Sequence, residues 1–366
     1  MIIVKPELKN IYKGNLSWFV NNTIFLTLHG SHAYGTNIET SDIDVKGIFV
    51  LPKENYYGVR ETIEQVQFKD PDGVVFELRK FLKLAADCNP NIIEVLFAEE
   101  TDWCHITPVG RLLVDNKEKF LSTKIKYTFF GYAKSQLGRI NLHYRWLKNP
   151  PVKPPTRTEF GLREQPEISR DQFGVIESEI RKKMDEWDIN WDELDFSEKV
   201  NIQTRVSKML AECQITNSNE LWLSAAKLLG FQDNFLLYLQ KEKEYKQKCA
   251  DWDSYQEWKI KRNPQRSELE AKYGFDVKHG MHLIRLMRMC KEVLTTGKVI
   301  VKRPDAEELL DIRRGKLSYE ELIEYSTKLE NEIEQLYSKC DILPKRSDAK
   351  FVDDLAMKIA EMVHAQ

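Results

Sequence analysis

The sequence has no apolar run near the roughly 20 residues that a membrane-spanning helix requires, so no membrane partner is expected. It also lacks an excess of either charge. Its 55 Lys and Arg oppose 57 Asp and Glu, a formal net charge of -2. No global basic field exists to attract a polyanion, and any such site must be a local patch. Cysteine motifs are missing too. The six cysteines, Cys88, Cys104, Cys213, Cys249, Cys290 and Cys340, form no C-x-x-C pair. The histidines show no zinc-type spacing, and the adjacent Cys104-His105 has no partner in register. The first residues, Met1-Ile2-Ile3-Val4-Lys5-Pro6-Glu7, lack a signal-peptide core. Reduced thiols in a cytoplasmic protein are the expectation. No internal repeat is evident. A chain of 366 residues exceeds one typical core, so two domains are expected.

What is present centres on Leu28 to Val50. The apolar run Ile24–Leu28 feeds a small-residue turn at Gly30-Ser31, and a polar loop leads to Asp42 and Asp44. Val45 to Val50 continues as a strand rich in β-branched and aromatic residues. Residues two apart on a strand point to the same face, so Asp42 and Asp44 place two carboxylates side by side. Their repulsion raises one pKa unless a divalent cation lies between them. A bare Asp-x-Asp is more often an Asp-rich turn entering a strand; the preceding Gly-Ser turn favours the metal reading.

Strands are predicted at Thr23–His29 and Ile43–Val50, with a weak edge strand within Glu61–Phe68. The run Asp70-Pro71-Asp72-Gly73 reads as a turn, and Val74–Leu78 as a third strand with Glu77 amid apolar neighbours. An unpaired buried carboxylate is costly, so Glu77 faces water at a sheet edge or faces a site. Beside the Asp-x-Asp strand, it offers a third oxygen ligand for Mg²⁺. Helices are expected over Arg79–Asp87, from Asn89-Pro90 (N-cap and first position), from Pro108, and over Ser122–Lys148. In the last of these, Tyr132, Gln136, Arg139 and His143 share a face, either solvated or a substrate wall.

Asn149 to Pro155, with four prolines, is a stiff linker and the expected domain boundary. It divides a first domain, 1–150, from a second, 151–366. The second contains a charged helical segment (165–262), a basic-faced helix (277–294) and terminal helices. Lys241-Glu242-Lys243-Glu244 reads as an exposed helical face, and the tail from Leu343 as peripheral. On the 277–294 helix, Lys278, His282 and Arg285 share one face while apolar residues cover much of the rest. Buried basic groups need an anion, either a structural Asp or Glu or a phosphate.

Gly30-Ser31, Asp42-Ile43-Asp44 and Phe76-Glu77-Leu78 together resemble the signature of the DNA polymerase β-like nucleotidyltransferase superfamily. Further stretches are similar to its RNA-repair-associated branch. They include Glu77-Leu78-Arg79-Lys80-Phe81-Leu82 with Asn89-Pro90-Asn91, Phe160-Gly161-Leu162, Lys278-His279 through Arg288-Met289, and Arg303-Pro304-Asp305. The likeness spans residues 23 to 345 and is weakest over 165–255. At His32 the branch more often carries Arg, and a histidine there makes any triphosphate contact shorter and pH-sensitive.

The resemblance implies an α+β fold, a small mixed β-sheet core with helices followed by a mainly helical domain. It implies NMP transfer from an NTP to a hydroxyl, an RNA end such as a tRNA-like or broken terminus, with release of pyrophosphate. Two Mg²⁺ (or Mn²⁺) ions are implied, held by Asp42, Asp44 and Glu77 as the catalytic set. Gly30, Ser31 and His32 would bind nucleotide, and the basic face of Lys278, His282 and Arg285 would hold the triphosphate or acceptor. The alternatives are NMP transfer to a protein side chain, and a catalytically idle nucleotide-binding scaffold.

Overall fold

The computed structural model describes residues 6–185, 218–262 and 264–365. Trp187, Trp191 and Cys213 lie outside the described residues. The fold is α+β. Five strands form one sheet in the order β3-β4-β2-β1-β5. They are β1 (Thr23–His29), β2 (Asp44–Phe49), β3 (Gln65–Lys69), β4 (Asp72–Glu77) and β5 (Trp103–Ile106). The sheet is mixed: β2 and β4 run parallel, and every other pairing is antiparallel. β1 and β2 are central, and β1 is buried along its whole length. The edge strand predicted within 61–68 is β3; β5 has no counterpart in the sequence reading.

Strand alternation sends side chains to two different cores. Leu26 and Leu28 of β1, Val45 and Phe49 of β2 and Val75 of β4 pack with Leu8, Ile11 and Phe19 of the N-terminal arm. Phe25 and Ile48 face the opposite way, into a larger core built by helices. Phe76 packs on that larger core as well. This division of faces decides which carboxylates can meet.

The described chain forms two compact units, one of 1–148 with 263–366 and one of 149–262. The boundary therefore differs from a division at 150 with everything beyond in one helical domain. The reason is the helix Val277–Thr296. Twelve of its residues are buried, too many for a single amphipathic stripe. It is enclosed by Ile125–Lys148 and Tyr319–Lys339, and so joins the unit that carries the sheet. The tail is not peripheral either. Helix Ala349–His364 buries Leu355, Ile359 and Ala360 and packs on helices Leu78–Ala86 and Pro108–Asp115.

The second unit contains helices Arg170–Asp185, Ser218–Leu228 and Asp233–Lys261, with Phe173, Ile180, Trp222, Leu236 and Leu239 in its core. Glu242, expected on an exposed face, is buried there. It pairs with Arg157 and accepts a hydrogen bond from the Tyr238 hydroxyl at 2.7 Å. Among the described residues no helix is long and apolar enough to cross a membrane.

Candidate active site

The end of β1 and the start of β2 lie side by side, with His29 opposite Asp44. Between them the chain makes a short helical turn, Gly30–Tyr34, closed by Gly35 in the left-handed region at φ 72°. Gly30 itself has φ 64°, and a Cβ there would collide with Asp44 Oδ2. Two separate demands thus exclude a side chain at position 30: the backbone conformation, and the approach of a carboxylate to its Cα. Gly30→Ala is expected to push the Asp44 carboxylate aside and to lower the melting temperature, since left-handed backbone costs a non-glycine residue ~1–2 kcal/mol. Thermal unfolding checks this; a wild-type melting temperature in the variant would refute it.

Asp42 sits two residues before β2, exposed, in a loop that its neighbours hold closed. Ser41 N–H donates to the Ile38 carbonyl (2.9 Å), Ile38 N–H donates to Ser41 Oγ (2.8 Å), and His32 Nε2 lies 3.4 Å from the Ser41 carbonyl. His32 is therefore buried against the loop that presents Asp42. Asp44 is half-buried, and its pKa is raised. Burial is the first cause; the charges of Asp72 and Asp42 add to it, while Lys46 and Lys278 oppose it.

Asp72 is the residue the sequence reading missed. The parallel register of β2 and β4 places Asp44 opposite Asp72, and Phe49 opposite Glu77. Asp44 and Asp72 lie on the same face as Ile48 and Phe76, the face of the larger core. Glu77 is five residues further along β4, about 16 Å by strand rise, and on the face shared by Val75 and Phe49. It cannot join Asp42 and Asp44. Its role is local: the carboxylate caps helix Leu78–Ala86, accepting from the backbone N–H of Arg79 (2.9 Å) and Lys80 (3.2 Å), and pairs with Arg79 Nε at 3.1 Å. Burial raises its pKa against these donors. The signal that could have found Asp72 is an acid at the start of a strand, where a parallel neighbour also begins with one.

Beneath the carboxylates lies a buried polar network. Glu94, on helix Pro90–Leu96, pairs with Arg285 and accepts from the Tyr34 hydroxyl at 2.6 Å. The Arg285 guanidinium covers the Tyr34 ring at 3.7 Å. Lys46, two residues beyond Asp44 on the same face, reaches His29 Nε2 and Asn91 Oδ1, each at 2.9 Å. Burial, then Lys46 and Arg285, push His29 far below its usual pKa, so it is neutral and accepts the lysine proton. Burial also pulls Lys46 down. Burial disfavours the Arg285 charge, but the charge and hydrogen bond of Glu94, together with Tyr34 and Tyr132, more than offset it and raise the guanidinium pKa.

Arg285 thus corrects the expectation that it binds nucleotide: its anion is a structural glutamate, and only 4% of its surface is exposed. Lys278 is half-buried and its positive charge reaches Asp44; His282 is half-buried on the same helix. The 263–366 segment also braces the Gly-Ser turn. Arg303 N–H donates to the Tyr34 carbonyl (3.0 Å), and Arg313 reaches the Thr36 carbonyl at 3.4 Å. The Tyr132 face is not uniform: Tyr132 and Arg139 are exposed, and Gln136 is buried.

The charges of Asp42 and Asp72 both act on Asp44, against which Gly30 is packed, so three hard-oxygen side chains neighbour one another without their oxygens being drawn together as tightly as ligands of one ion. Residues 3–153 match the model of the RNA repair pathway DNA polymerase beta family. The resemblance to that nucleotidyltransferase branch is therefore borne out. An uncharacterized 38.9 kDa protein in the nrdC-mobD intergenic region of Enterobacteria phage T4 is 22% identical over 354 residues, 92% of this chain and 96% of that protein. No solved structure matches.

Proposed function

From the match of residues 3–153 to the RNA repair pathway DNA polymerase beta family, we propose that this protein transfers NMP from an NTP to the terminal hydroxyl of an RNA. The observation that supports the reading is Asp44 packed against Gly30, with Asp72 opposite it in the strand register and the charges of Asp42 and Asp72 acting on it. Asp42 and Asp44 would hold two divalent ions, and Asp72 would take the place first expected of Glu77. When bound, the two ions lower the charge cost of in-line displacement at the α-phosphorus, at both the entering and the leaving oxygen.

The protein's own groups do the rest. The Gly30-Ser31 turn, without a side chain at position 30, lets backbone approach the β- and γ-phosphates, and Ser31 adds a hydroxyl donor. Lys278 would place a positive charge beside the triphosphate. The acceptor oxygen forms a bond to the α-phosphorus, the bond to the bridging oxygen breaks, and pyrophosphate leaves with that electron pair. The acceptor proton would pass to a carboxylate such as Asp72. His32, turned onto the Ser41 carbonyl, serves the loop that carries Asp42.

The test is incubation with each α-labelled NTP, Mg²⁺ or Mn²⁺, and a mixed pool of small RNA and protein. Label in RNA that is lost in Asp44→Ala supports the reading. Label in protein favours side-chain modification, and no label with bound NTP favours an idle scaffold; either result overturns it.

A further inference from the structure

Away from the carboxylates of the sheet, three ligand-type side chains converge inside the first unit. His143, near the end of helix Ile125–Lys148, meets Asp276 and His279 at the start of helix Val277–Thr296. One donor atom from each lies within 4.8 Å of the other two. Glu270, from helix Pro264–Tyr273, adds a carboxylate oxygen 3.6 Å from His143 Nδ1. Both carboxylates are deeply buried, Glu270 at 2% and Asp276 at 3% exposure.

Helix capping accounts for part of this. Asp276 Oδ1 accepts from the His279 backbone N–H at 3.0 Å, and its Oδ2 lies 2.7 Å from His279 Nδ1. Capping does not account for His143, brought in from 133 positions earlier in the chain than Asp276, nor for a second buried acid beside it. The His143 ring is also held in place by stacking on Trp146, 5.6 Å away and 20° from parallel.

We infer that His143, Asp276 and His279 form a structural site for a divalent transition metal, Zn²⁺ by its ligand set, with Glu270 beside His143. Two imidazoles and a carboxylate supply three donors of a tetrahedral site, and water would complete it. Zinc-bound donors stand about 3.3 Å apart, so the trio needs to tighten by roughly an ångström or two, with the close contact between the His279 ring and Asp276 opening to admit the ion. Bound there, the ion clips the end of helix Ile125–Lys148 to the turn that launches helix Val277–Thr296. That helix carries Lys278 and Arg285, so the clip steadies the wall of the carboxylate site without entering it. The inference does not depend on the proposed reaction.

Metal content is measured on untagged full-length protein after gel filtration, with Zn²⁺ titration, thermal unfolding with and without chelator, and Co²⁺ substitution read by its tetrahedral absorption. Wild type should retain one equivalent of Zn²⁺, and chelation should lower its melting temperature. His143→Gln and His279→Gln should bind Zn²⁺ roughly 10-fold or more weakly and lose the chelator effect. Asp44→Ala should keep the equivalent, separating this site from the sheet carboxylates. His143→Gln leaves the Asp276 cap intact, so it tests the site even if His279→Gln fails to fold. Wild type holding no more zinc than His143→Gln, or equal zinc stabilisation of both, overturns the inference.

Discussion

Asp72→Ala is expected to reduce nucleotidyl transfer on the order of 10³-fold, while Glu77→Gln stays within a few-fold of wild type. The first figure follows if Asp72 is a ligand of the proposed two-ion centre, whose loss forfeits several kcal/mol of transition-state stabilisation at 1.36 kcal/mol per tenfold. The second follows from register. Asp72 stands opposite Asp44 on β2, and Glu77 stands opposite Phe49 at the other end of the strand and on the other face. Glu77 is expected to matter for stability instead. It caps helix Leu78–Ala86 with two backbone hydrogen bonds, and Glu77→Ala should cost about 1–2 kcal/mol by that route. Single-turnover rates with saturating NTP, alongside urea unfolding, separate the two roles. An inactive Glu77→Gln beside an active Asp72→Ala would restore Glu77 as the third ligand and reject the register argument.

Arg285→Met should destabilise the protein by about 3–5 kcal/mol, the cost of leaving the other member of a buried ion pair uncompensated. That other member is Glu94, 2% exposed and also bonded to the Tyr34 hydroxyl. Glu94→Gln together with Arg285→Met removes the uncompensated charge and should recover much of the loss, which a double-mutant cycle in urea would show. Had Arg285 served a triphosphate directly, its loss would raise KM for NTP and leave stability near wild type. That outcome, with no coupling to Glu94, would return Arg285 to the substrate. The network bears on function indirectly. Tyr34 and His29 flank the Gly-Ser turn, and Lys46 ties His29 and Asn91 to the strand that begins at Asp44. Losing it should loosen the turn as well as the core.

Much of the architecture follows local rules. β1 begins and ends where its apolar run predicts, and helix Pro90–Leu96 begins at the Asn-Pro signal, with Asn89 capping the Asn91 N–H at 3.1 Å. Gly30, Ser31, Asp42 and Asp44 are close in sequence, so one turn and one strand suffice to relate them. Other features were not legible because their meaning is non-local. Glu242 in a charged run looks solvated until Arg157 is brought to it. The tail looks dispensable until its apolar face meets two helices from the first 115 residues. The histidines show no ligand spacing because His143 meets Asp276 and His279 across two helices.

The carboxylate site divides along the same line. The sequence by itself determined the Gly-Ser turn, the pair of acids after it and the family resemblance they carry. Only the tertiary structure decided the third acid and the partner of Arg285. A strand's alternation says which residues share a face, but not which neighbour it pairs with, in which direction or in what register. β4 offers an acid at each end. The parallel alignment of β4 with β2 brings Asp72 to the site and carries Glu77 away from it.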